Sequence, residues 1–148
     1  MLQRITHSPA ETEELARHLA SCLRGGEIIA YTGGMGMGKT AFTRGLARGL
    51  GVRGNVSSPT FALVHEYPGT IPLYHFDMYR VESWDDLYST GFFDYLDTGA
   101  VLAIEWSENI QGALPEETVH ISIAPGELPE DRIITLQAAQ EEVFRCAF

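Results

Sequence analysis

Apolar residues along this chain form short runs and helical stripes, and the order of these patterns predicts how the first half folds. Residues 27–32 form a short apolar run, which predicts a buried strand. The residues that follow it at the spacing of one helix face are Phe42, Leu46, Ala47 and Leu50. Gly51 lies where a glycine commonly ends a helix. A strand, a glycine-rich segment and a helix are therefore predicted in that order.

An earlier helix is predicted to begin at Ser8. Ser8 and Glu11 have the spacing of a capping box, and Pro9 occupies the first helical position. The apolar stripe of this helix consists of Leu15, Leu19 and either Cys22 or Leu23. The glycine pair at 25–26 is expected to end the helix, and Thr12 in its first turn is interpreted as facing solvent.

The second half of the chain reads as further strands with short connections. Segments 61–67 and 73–79 are predicted strands that are separated by the turn residues Pro68-Gly69, and a hairpin is one arrangement they allow. A helix is predicted to start at 83–86. Aromatic and apolar bulk for the core comes from Phe92, Phe93, Tyr95 and Leu96. The remaining predicted elements are a strand at 101–105, a returning segment at 109–115, and strands at 118–124 and 132–136 joined by Pro125-Gly126. The tail 140–148 has no clear pattern.

Composition predicts one soluble globular domain over residues 1–148. The chain is 45% hydrophobic and 20% charged, and no apolar run approaches membrane-spanning length. Its first residues do not resemble a signal peptide, so the cytoplasm is the expected compartment. The two cysteines, Cys22 and Cys146, have no metal-binding spacing and are expected to be reduced, buried thiols.

The net charge of the chain indicates which kinds of molecule it can bind directly. A net charge of −10 disfavours direct binding of nucleic acid, so any such role is expected to run through a partner protein. Arg44, Arg48 and Arg53 form a basic cluster that is interpreted as either a solvated face or a docking patch.

The segment from Gly33 to Thr40 matches the phosphate-binding pattern G-x-x-x-x-G-K-[ST]. Its glycines allow backbone N–H groups to turn towards phosphate oxygens, and the helix that follows directs its positive dipole end at the same anion. Lys39 supplies a charge to the β- and γ-phosphates, and Thr40 a hydroxyl for Mg²⁺. Lys39 is the only lysine in the chain, which indicates a position where arginine does not serve.

Two acids are candidates for the other half of such a site. Glu105 ends the apolar run 101–104, as expected of an acid that holds the metal. Asp77 ends a weaker run that contains His75, and is assigned either to the metal shell or to orienting the attacking water. Thr60, between the helix and the next strand, is a candidate for a switch-like loop, with an ordinary turn residue as the alternative.

The neighbours of these acids allow several interpretations. His75 is interpreted as a packed, hydrogen-bonded residue. Alternation places it on one strand face with Asp77 and Tyr79. Arg80 either stabilises phosphate charge or, more simply, pairs with an acid, and Trp106 either shapes the site, meets a partner or packs in the core.

Two sequence features that are absent narrow the range of expected substrates. The guanine-recognition pattern [NT]-K-x-D needs a second lysine, so adenine is the expected base. A small-molecule kinase usually closes an arginine-bearing lid, and Arg80 is the only lysine or arginine between residues 61 and 126. The sequence therefore favours a small-molecule kinase less than an enzyme that hydrolyses ATP.

Four segments together resemble the TsaE family, also called YjeE. They are 36–40 (GMGKT), 58–61 (SPTF), 75–80 (HFDMYR) and 105–106 (EW). The resemblance covers nearly the whole chain. It implies a bacterial ATPase needed for threonylcarbamoyladenosine in tRNA, acting with TsaB and TsaD, and touching tRNA only through that complex.

The resemblance also implies roles for individual residues. Asp77, Glu105 and Lys39 would be catalytic, Thr40 and Glu105 would bind Mg²⁺, and Thr60 would lie in the switch-like loop, with Trp106 near the nucleotide. The implied ATP-binding residues are Thr12, Gly33, Gly36, Met37, Gly38, Lys39, Thr40, Ala41 and Arg132. Gly34 stands where the family often has an acid, which puts any contact of that acid in doubt.

The expected fold is therefore a three-layer α/β P-loop NTPase fold with a largely parallel central sheet and the nucleotide at the carboxyl ends of the strands. The expected activity is slow, Mg²⁺-dependent ATP hydrolysis as an accessory step in tRNA modification. A small-molecule kinase and a docking module controlled by nucleotide are the alternatives.

Overall fold

The computed structural model describes residues 1–33, 37–54, 56 and 64–148, which form a mixed sheet with helices. The strands are β1 (Leu2–Thr6), β2 (Ile28–Thr32), β3 (Val64–Tyr67), β4 (Leu73–Asp77), β5 (Val101–Glu105), β6 (Val119–Pro125) and β7 (Arg132–Gln137). The α-helices are α1 (Pro9–Ala20), α2 (Lys39–Gly49), α3 (Trp84–Ser89) and α4 (Phe92–Tyr95). Two 3₁₀ helices follow β5 and β7, at Ser107–Ala113 and Glu141–Phe144.

The sheet is parallel in its centre and antiparallel at both sides. Its strand order is β1-β7-β6-β2-β5-β4-β3. Strands β6, β2, β5 and β4 run parallel to one another, whereas the β1–β7, β7–β6 and β4–β3 pairs are antiparallel. The expectation of a largely parallel sheet therefore holds only for the four central strands. The hairpin of β3 and β4 is confirmed.

Alternation along the central strands produces two separate cores. In β5, Val101 and Ala103 pack with the α1 and α2 side, while Leu102 and Ile104 pack with the α3 and α4 side. All four are buried because both sheet faces are covered, which explains the uninterrupted apolar run. The helices thus form a layer on each face of the sheet.

Helix α1 begins at the Ser8 cap that the sequence predicts. The Ser8 hydroxyl accepts a hydrogen bond from the Glu11 N–H, whereas the Glu11 carboxylate accepts one from the His7 N–H and not from the Ser8 N–H that a complete capping box uses. The helix ends at Ala20, earlier than the glycine pair indicated. The interpretation of Thr12 as a solvent-facing residue is wrong: it is 1% exposed, because β1 covers this side of the helix. Strand β1 itself was not predicted from its sequence.

Helices α1 and α2 lie unusually close to each other. A Cβ on Gly45 would be 2.0 Å from the Glu13 carbonyl oxygen of α1, and one on Gly49 would be 2.4 Å from the Ala20 Cβ. Two glycines one turn apart therefore let the helix backbones approach. Their contact fixes the direction of α2, whose first residue is Lys39.

The end of α2 forms a Schellman motif, as Gly51 predicted. Gly51 has a φ of +81°, its N–H donates to the Arg48 carbonyl, and the Val52 N–H donates to the Ala47 carbonyl. The prediction at the third helix is also confirmed, since the Ser83 hydroxyl accepts from the Asp86 N–H and caps α3.

The basic cluster on α2 is engaged within the chain. Arg48 Nη1 lies 3.1 Å and Arg44 Nη1 3.9 Å from the carboxylate of Glu13 on α1. Arg53 is exposed. These two ion pairs reduce the positive charge available for docking a partner. Besides a solvated face or a docking patch, the cluster therefore has a third role, which is to hold α2 against α1.

The tail, unassigned from sequence, folds back onto the sheet and α1. Phe144 and Ala147 are buried in the same core as α1. The expectation of two buried thiols is wrong, because Cys146 is exposed and Cys22 is half-buried; both are free. None of the helices formed by the described residues is long and apolar enough to cross a membrane.

Candidate active site

The candidate residues gather at the edge of the sheet where the central strands end. Because β2, β4 and β5 run parallel, their last residues Thr32, Asp77 and Glu105 share this edge. Asp77 and Glu105 are register partners on neighbouring strands. Helix α2 starts at the same edge, after the glycine-rich segment that follows β2. Both predicted acids therefore lie at the edge where Lys39 begins a helix.

Two glycines of the motif have a positive φ, a backbone conformation that other residues rarely adopt. Gly33 has a φ of +133°, and a Cβ there would lie 2.5 Å from the Ile123 carbonyl oxygen on β6. Gly38 has a φ of +103° and is the N-cap of α2, without a side-chain cap. The first N–H groups of α2 are thus available to an anion. Thr40 is half-buried in the first turn, and Ala41 is buried.

Lys39 and Trp106 connect the start of α2 to the end of β5. Lys39 Nζ lies 5.7 Å from the centroid of the Trp106 ring. Trp106 has a positive φ of +59°, a rare conformation for a bulky residue and a feature of functional sites. The Tyr79 ring packs edge-on against Trp106, with centroids 5.0 Å apart. Trp106 therefore lines the site, and it also contacts the core on the α3 side.

Glu105 forms a close pair with a buried histidine. Its Oε2 lies 2.7 Å from His75 Nε2, with His75 fully buried and the Glu105 side chain 12% exposed. The alignment is not that of a hydrogen bond, and among the described residues neither ring nitrogen of His75 nor Glu105 Oε2 has an aligned partner. The interpretation of His75 as packed is confirmed, whereas its aligned hydrogen bond is not found. Glu105 Oε2 is thus a buried oxygen that faces His75, while the side chain as a whole keeps a small exposed fraction at the strand end.

Asp77 lies beside this pair but has a backbone partner. Its Oδ1 accepts a hydrogen bond from the Tyr79 N–H at 2.9 Å, so one carboxylate oxygen is held by the turn after β4. Tyr79 lies beyond the strand and is exposed. Arg80 is exposed, and among residues 1–33, 37–54, 56 and 64–148 it forms no ion pair. The predicted pairing of Arg80 with an acid is therefore not found there.

Polar residues that the sequence analysis did not single out support this edge. The Thr43 hydroxyl is 2.9 Å from the Tyr31 hydroxyl and 2.8 Å from the Lys39 carbonyl oxygen. Burial raises the pKa of Tyr31, so its phenol stays neutral. Ser107 donates to the Tyr31 carbonyl, and Asn109 donates to the Met78 carbonyl. No sequence motif includes these residues, and the contacts of Ser107 and Asn109 join segments 76 and 31 positions apart.

A second polar group approaches the motif from β1 and β7. Arg132 Nε donates to the Met37 carbonyl at 3.2 Å, so this arginine contacts the glycine-rich segment. Thr12 Oγ1 is 2.7 Å from Thr6 Oγ1 at the end of β1. Thr6 and Arg132 are register partners in the β1–β7 pair. The structure therefore brings Thr12 and Arg132 to the same end of the sheet as the motif.

Asp131, next to Arg132, pairs with His7. His7 Nδ1 lies 2.9 Å from Asp131 Oδ1. This hydrogen bond raises the pKa of His7 and lowers the pKa of Asp131. Because the His7 pKa is raised in the folded protein, the His7–Asp131 pair stabilises the fold fully below the ordinary histidine pKa of 6.5. This stabilisation is lost as the pH rises through the pKa that His7 has in the folded protein. The lowered Asp131 pKa means that it is lost again as pH falls through and below 3.8.

Replacing His7 with glutamine is therefore expected to destabilise the protein in mildly acidic solution and to have less effect in alkaline solution. Thermal unfolding midpoints of native and H7Q protein at about pH 5.5 and about pH 8.5 measure this. Asp131→Asn should reproduce the loss, and the double variant should show no further one. Equal effects of H7Q at both pH values would contradict the assignment.

Several predicted residues lie outside the described residues. These are Gly34, Gly36, Thr60 and the remainder of the segment Ser58–Phe61. Their predicted roles stay predictions.

The residues present fit a magnesium ion shared with a substrate phosphate. The described residues contain no group of three His, Cys, Asp or Glu side chains that could hold a metal by themselves. Mg²⁺ is usually held by one or two carboxylates, substrate phosphates and waters. The Glu105 carboxylate at the end of β5 and the hydroxyl of Thr40 at the start of α2 provide donors of this kind.

Comparison with known proteins assigns the chain to a family. Residues 6–134 match the family model described as "Threonylcarbamoyl adenosine biosynthesis protein TsaE". The tRNA threonylcarbamoyladenosine biosynthesis protein TsaE of Bacillus subtilis is 40% identical over 119 residues, covering 80% of this chain and 74% of that protein. The TsaE of Treponema pallidum is 36% identical over 119 residues, covering 80% of this chain and 88% of its own.

A solved structure agrees with this. The crystal structure of Bacillus subtilis YdiB superposes with a TM-score of 0.75 at 32% identity, covering 98% of this chain and 90% of that one. Sequence and fold thus point to one family over most of the length. The chain belongs to the TsaE family, which is involved in tRNA threonylcarbamoyladenosine biosynthesis.

Proposed function

We propose that this protein is a Mg²⁺-dependent ATPase with a P-loop NTPase fold, and that it acts with TsaB and TsaD in the threonylcarbamoylation of tRNA. The family supports the pathway, since the relatives described above are named for it. The activity and the metal are inferred from the residues of the site, and the two partners are inferred from the resemblance to the family. ATP is the proposed substrate, with hydrolysis as an accessory step of the modification.

The observation that carries the proposal is the approach of Lys39 to Trp106. Nζ of Lys39 is 5.7 Å from the Trp106 ring, and Trp106 directly follows Glu105. The single lysine of the chain, the start of a helix and a strand-end acid therefore meet at one sheet edge. Phosphoryl transfer needs this combination, because its catalysis is mainly positioning and neutralisation of developing charge.

The proposed role of each residue follows from its position in the site. Lys39 and the N–H groups at the start of α2 bind the β- and γ-phosphates. Thr40 and Glu105 would hold Mg²⁺, which when bound supplies positive charge to the same phosphates. Asp77, with one oxygen held by the Tyr79 N–H, has its other oxygen to orient or deprotonate the attacking water.

The remaining parts of the proposal concern the adenine, the switch-like loop, the rate of turnover and the compartment. Arg132, which contacts the Met37 carbonyl, is proposed to lie close to the nucleotide, and Thr12, which is paired with Thr6, is proposed to lie near the adenine. Thr60 is proposed for the switch-like loop. Turnover by the protein alone is expected to be slow, since Arg80 is the only candidate arginine finger in residues 61–126. The protein is proposed to work in the cytoplasm, and its net charge of −10 favours contact with tRNA only through the partners.

The test is ATP hydrolysis by the protein alone and with purified TsaB and TsaD. Native protein is expected to hydrolyse ATP slowly alone and faster with the partners, and Lys39→Ala is expected to abolish both rates. Lys39→Arg should also fail, because a planar guanidinium does not replace a compact ammonium in a phosphate loop. Arg24→Gln removes an exposed charge on another part of the surface and should behave like native protein.

Two outcomes would contradict the proposal. Hydrolysis that survives Lys39→Ala would show that the activity does not come from this site. Phosphate transfer to an added acceptor that is faster than hydrolysis would favour a small-molecule kinase.

A further inference from the structure

The two cysteines of the chain meet at the surface although they are 124 positions apart. Cys22 Sγ and Cys146 Sγ are 2.9 Å apart. Cys22 follows the end of α1, and Cys146 lies in the tail. A disulfide needs the sulfurs at about 2.05 Å, so a further approach of less than 1 Å would allow the bond. Both sulfurs are free thiols in this structure.

The tail is held in place by contacts that do not involve the cysteines. Phe144 and Ala147 are buried in the core that also contains Leu19 and Leu23 of the α1 region. The terminal amine of Met1 forms an ion pair with Glu141 at the start of the last 3₁₀ helix. The folded chain therefore brings Cys146 to Cys22 before any bond forms, which raises the effective concentration of one thiol at the other.

We propose that Cys22 and Cys146 form a reversible disulfide by exchange with a low-molecular-weight disulfide such as glutathione disulfide. The Cys146 thiolate attacks one sulfur of the reagent, which breaks the S–S bond, forms a mixed disulfide and releases one thiolate. The Cys22 thiolate then attacks Cys146 Sγ, which forms the internal bond and releases the second thiolate. The protein is oxidised by two electrons, the reagent is reduced to two thiols, and the two cysteine protons go to the solvent or the leaving thiolates.

The environments of the two sulfurs set the order of these steps. Cys146 is exposed and accessible to the reagent. Burial, together with the hydrogen bond to Cys146, raises the pKa of Cys22 to about 11, so Cys22 holds little thiolate at neutral pH. The first attack therefore belongs to Cys146.

The bond would restrain the tail beside a cleft that the end of β1 also lines. Ala147, adjacent to Cys146, lines a cleft of about 490 Å³ that is also lined by Thr6, His7, Leu15 and His18. Thr6 contacts Thr12, which is proposed near the nucleotide. Linking Cys146 to the end of α1 would hold the tail against this cleft and close a covalent loop over most of the chain.

The experiment treats a dilute solution of the protein with glutathione disulfide and records intact mass, free thiols and thermal unfolding. Native protein is expected to lose about 2 Da and both free thiols, and its unfolding midpoint should rise by several degrees. Dithiothreitol should reverse all three changes. Amide exchange in residues 141–148 should slow in the oxidised protein, as expected if the tail is held.

Three variants make the test specific. Cys22→Ser should stop at one glutathionyl adduct on Cys146, Cys146→Ser should react more slowly, and the double variant should not respond. Accumulation of two glutathionyl adducts on native protein, a covalent dimer in place of the 2 Da loss, or an unchanged midpoint and tail exchange after oxidation would overturn the proposal. None of these readouts depends on ATP hydrolysis.

Discussion

Replacing Glu105 with glutamine is expected to lower the rate of ATP hydrolysis by about two to three orders of magnitude, the size of effect seen when one charge-stabilising group is removed from an active site. Glutamine keeps the shape of the side chain and removes its negative charge. Glu105 ends β5 directly before Trp106, whose ring centroid lies 5.7 Å from Lys39 Nζ. Steady-state phosphate release with saturating ATP and Mg²⁺ measures the effect.

A matched control is available three residues away. Glu108 is an exposed acid in the 3₁₀ helix that follows β5, so Glu108→Gln changes the net charge equally without entering the site. It should hydrolyse ATP like native protein. Glu105→Gln should still bind a fluorescent ATP analogue, because Lys39 and the helix N-terminus remain. Hydrolysis by Glu105→Gln within about twofold of native would remove Glu105 from the mechanism.

Replacing Gly45 with alanine is expected to destabilise the protein by about 2 kcal/mol, although alanine is the better helix former. The propensity gain is about 1 kcal/mol, whereas overpacking costs about 3 kcal/mol where the neighbour cannot move. Here the neighbour is backbone: the new Cβ would lie 2.0 Å from the Glu13 carbonyl oxygen and 2.8 Å from the Ala16 Cβ. Relief requires α1 and α2 to separate, which would also displace Lys39.

Thermal unfolding should show this as a midpoint lower by about 4–8 °C for a chain of this size. Gly112→Ala is the control, since a Cβ there would meet only a Trp84 ring carbon at 3.9 Å, an ordinary contact. If Gly45→Ala were as stable as native protein, the close contact of α1 and α2 would be wrong. ATP hydrolysis by the variant at low temperature would show whether the displaced helix also misplaces Lys39.

The elements with strong local signals were predicted well. The helix caps at Ser8 and Gly51 and the helix start at Ser83 were confirmed because each depends on a few neighbouring residues. The apolar run ending in Glu105 was confirmed as a buried central strand for the same reason. Strand β1 was missed because it lies at the sheet edge, exposes Ile5, and gains its partner from β7 at the other end of the chain.

The site was predicted in parts. Spacing identified Lys39, Thr40, Asp77 and Glu105, since the motif and the strand ends are local patterns. Spacing could not show that Thr12 is buried against Thr6, because Thr6 belongs to the strand β1 that was not predicted. It could not show that Arg132 reaches Met37, because those residues are 95 positions apart. Arg132 was named from family resemblance alone, and Ser107 and Asn109 were not named.

What the sequence determined by itself is therefore the local pattern: a segment that matches the phosphate-binding motif between a strand and a helix, two acids at strand ends, and a family. What only the tertiary structure decided is which distant side chains become neighbours. Examples are His75 beside Glu105, His7 beside Asp131, and Cys22 beside Cys146. Helix and turn signals act through bonds between near neighbours, whereas these pairs depend on the order in which the strands assemble and on how closely α1 packs on α2.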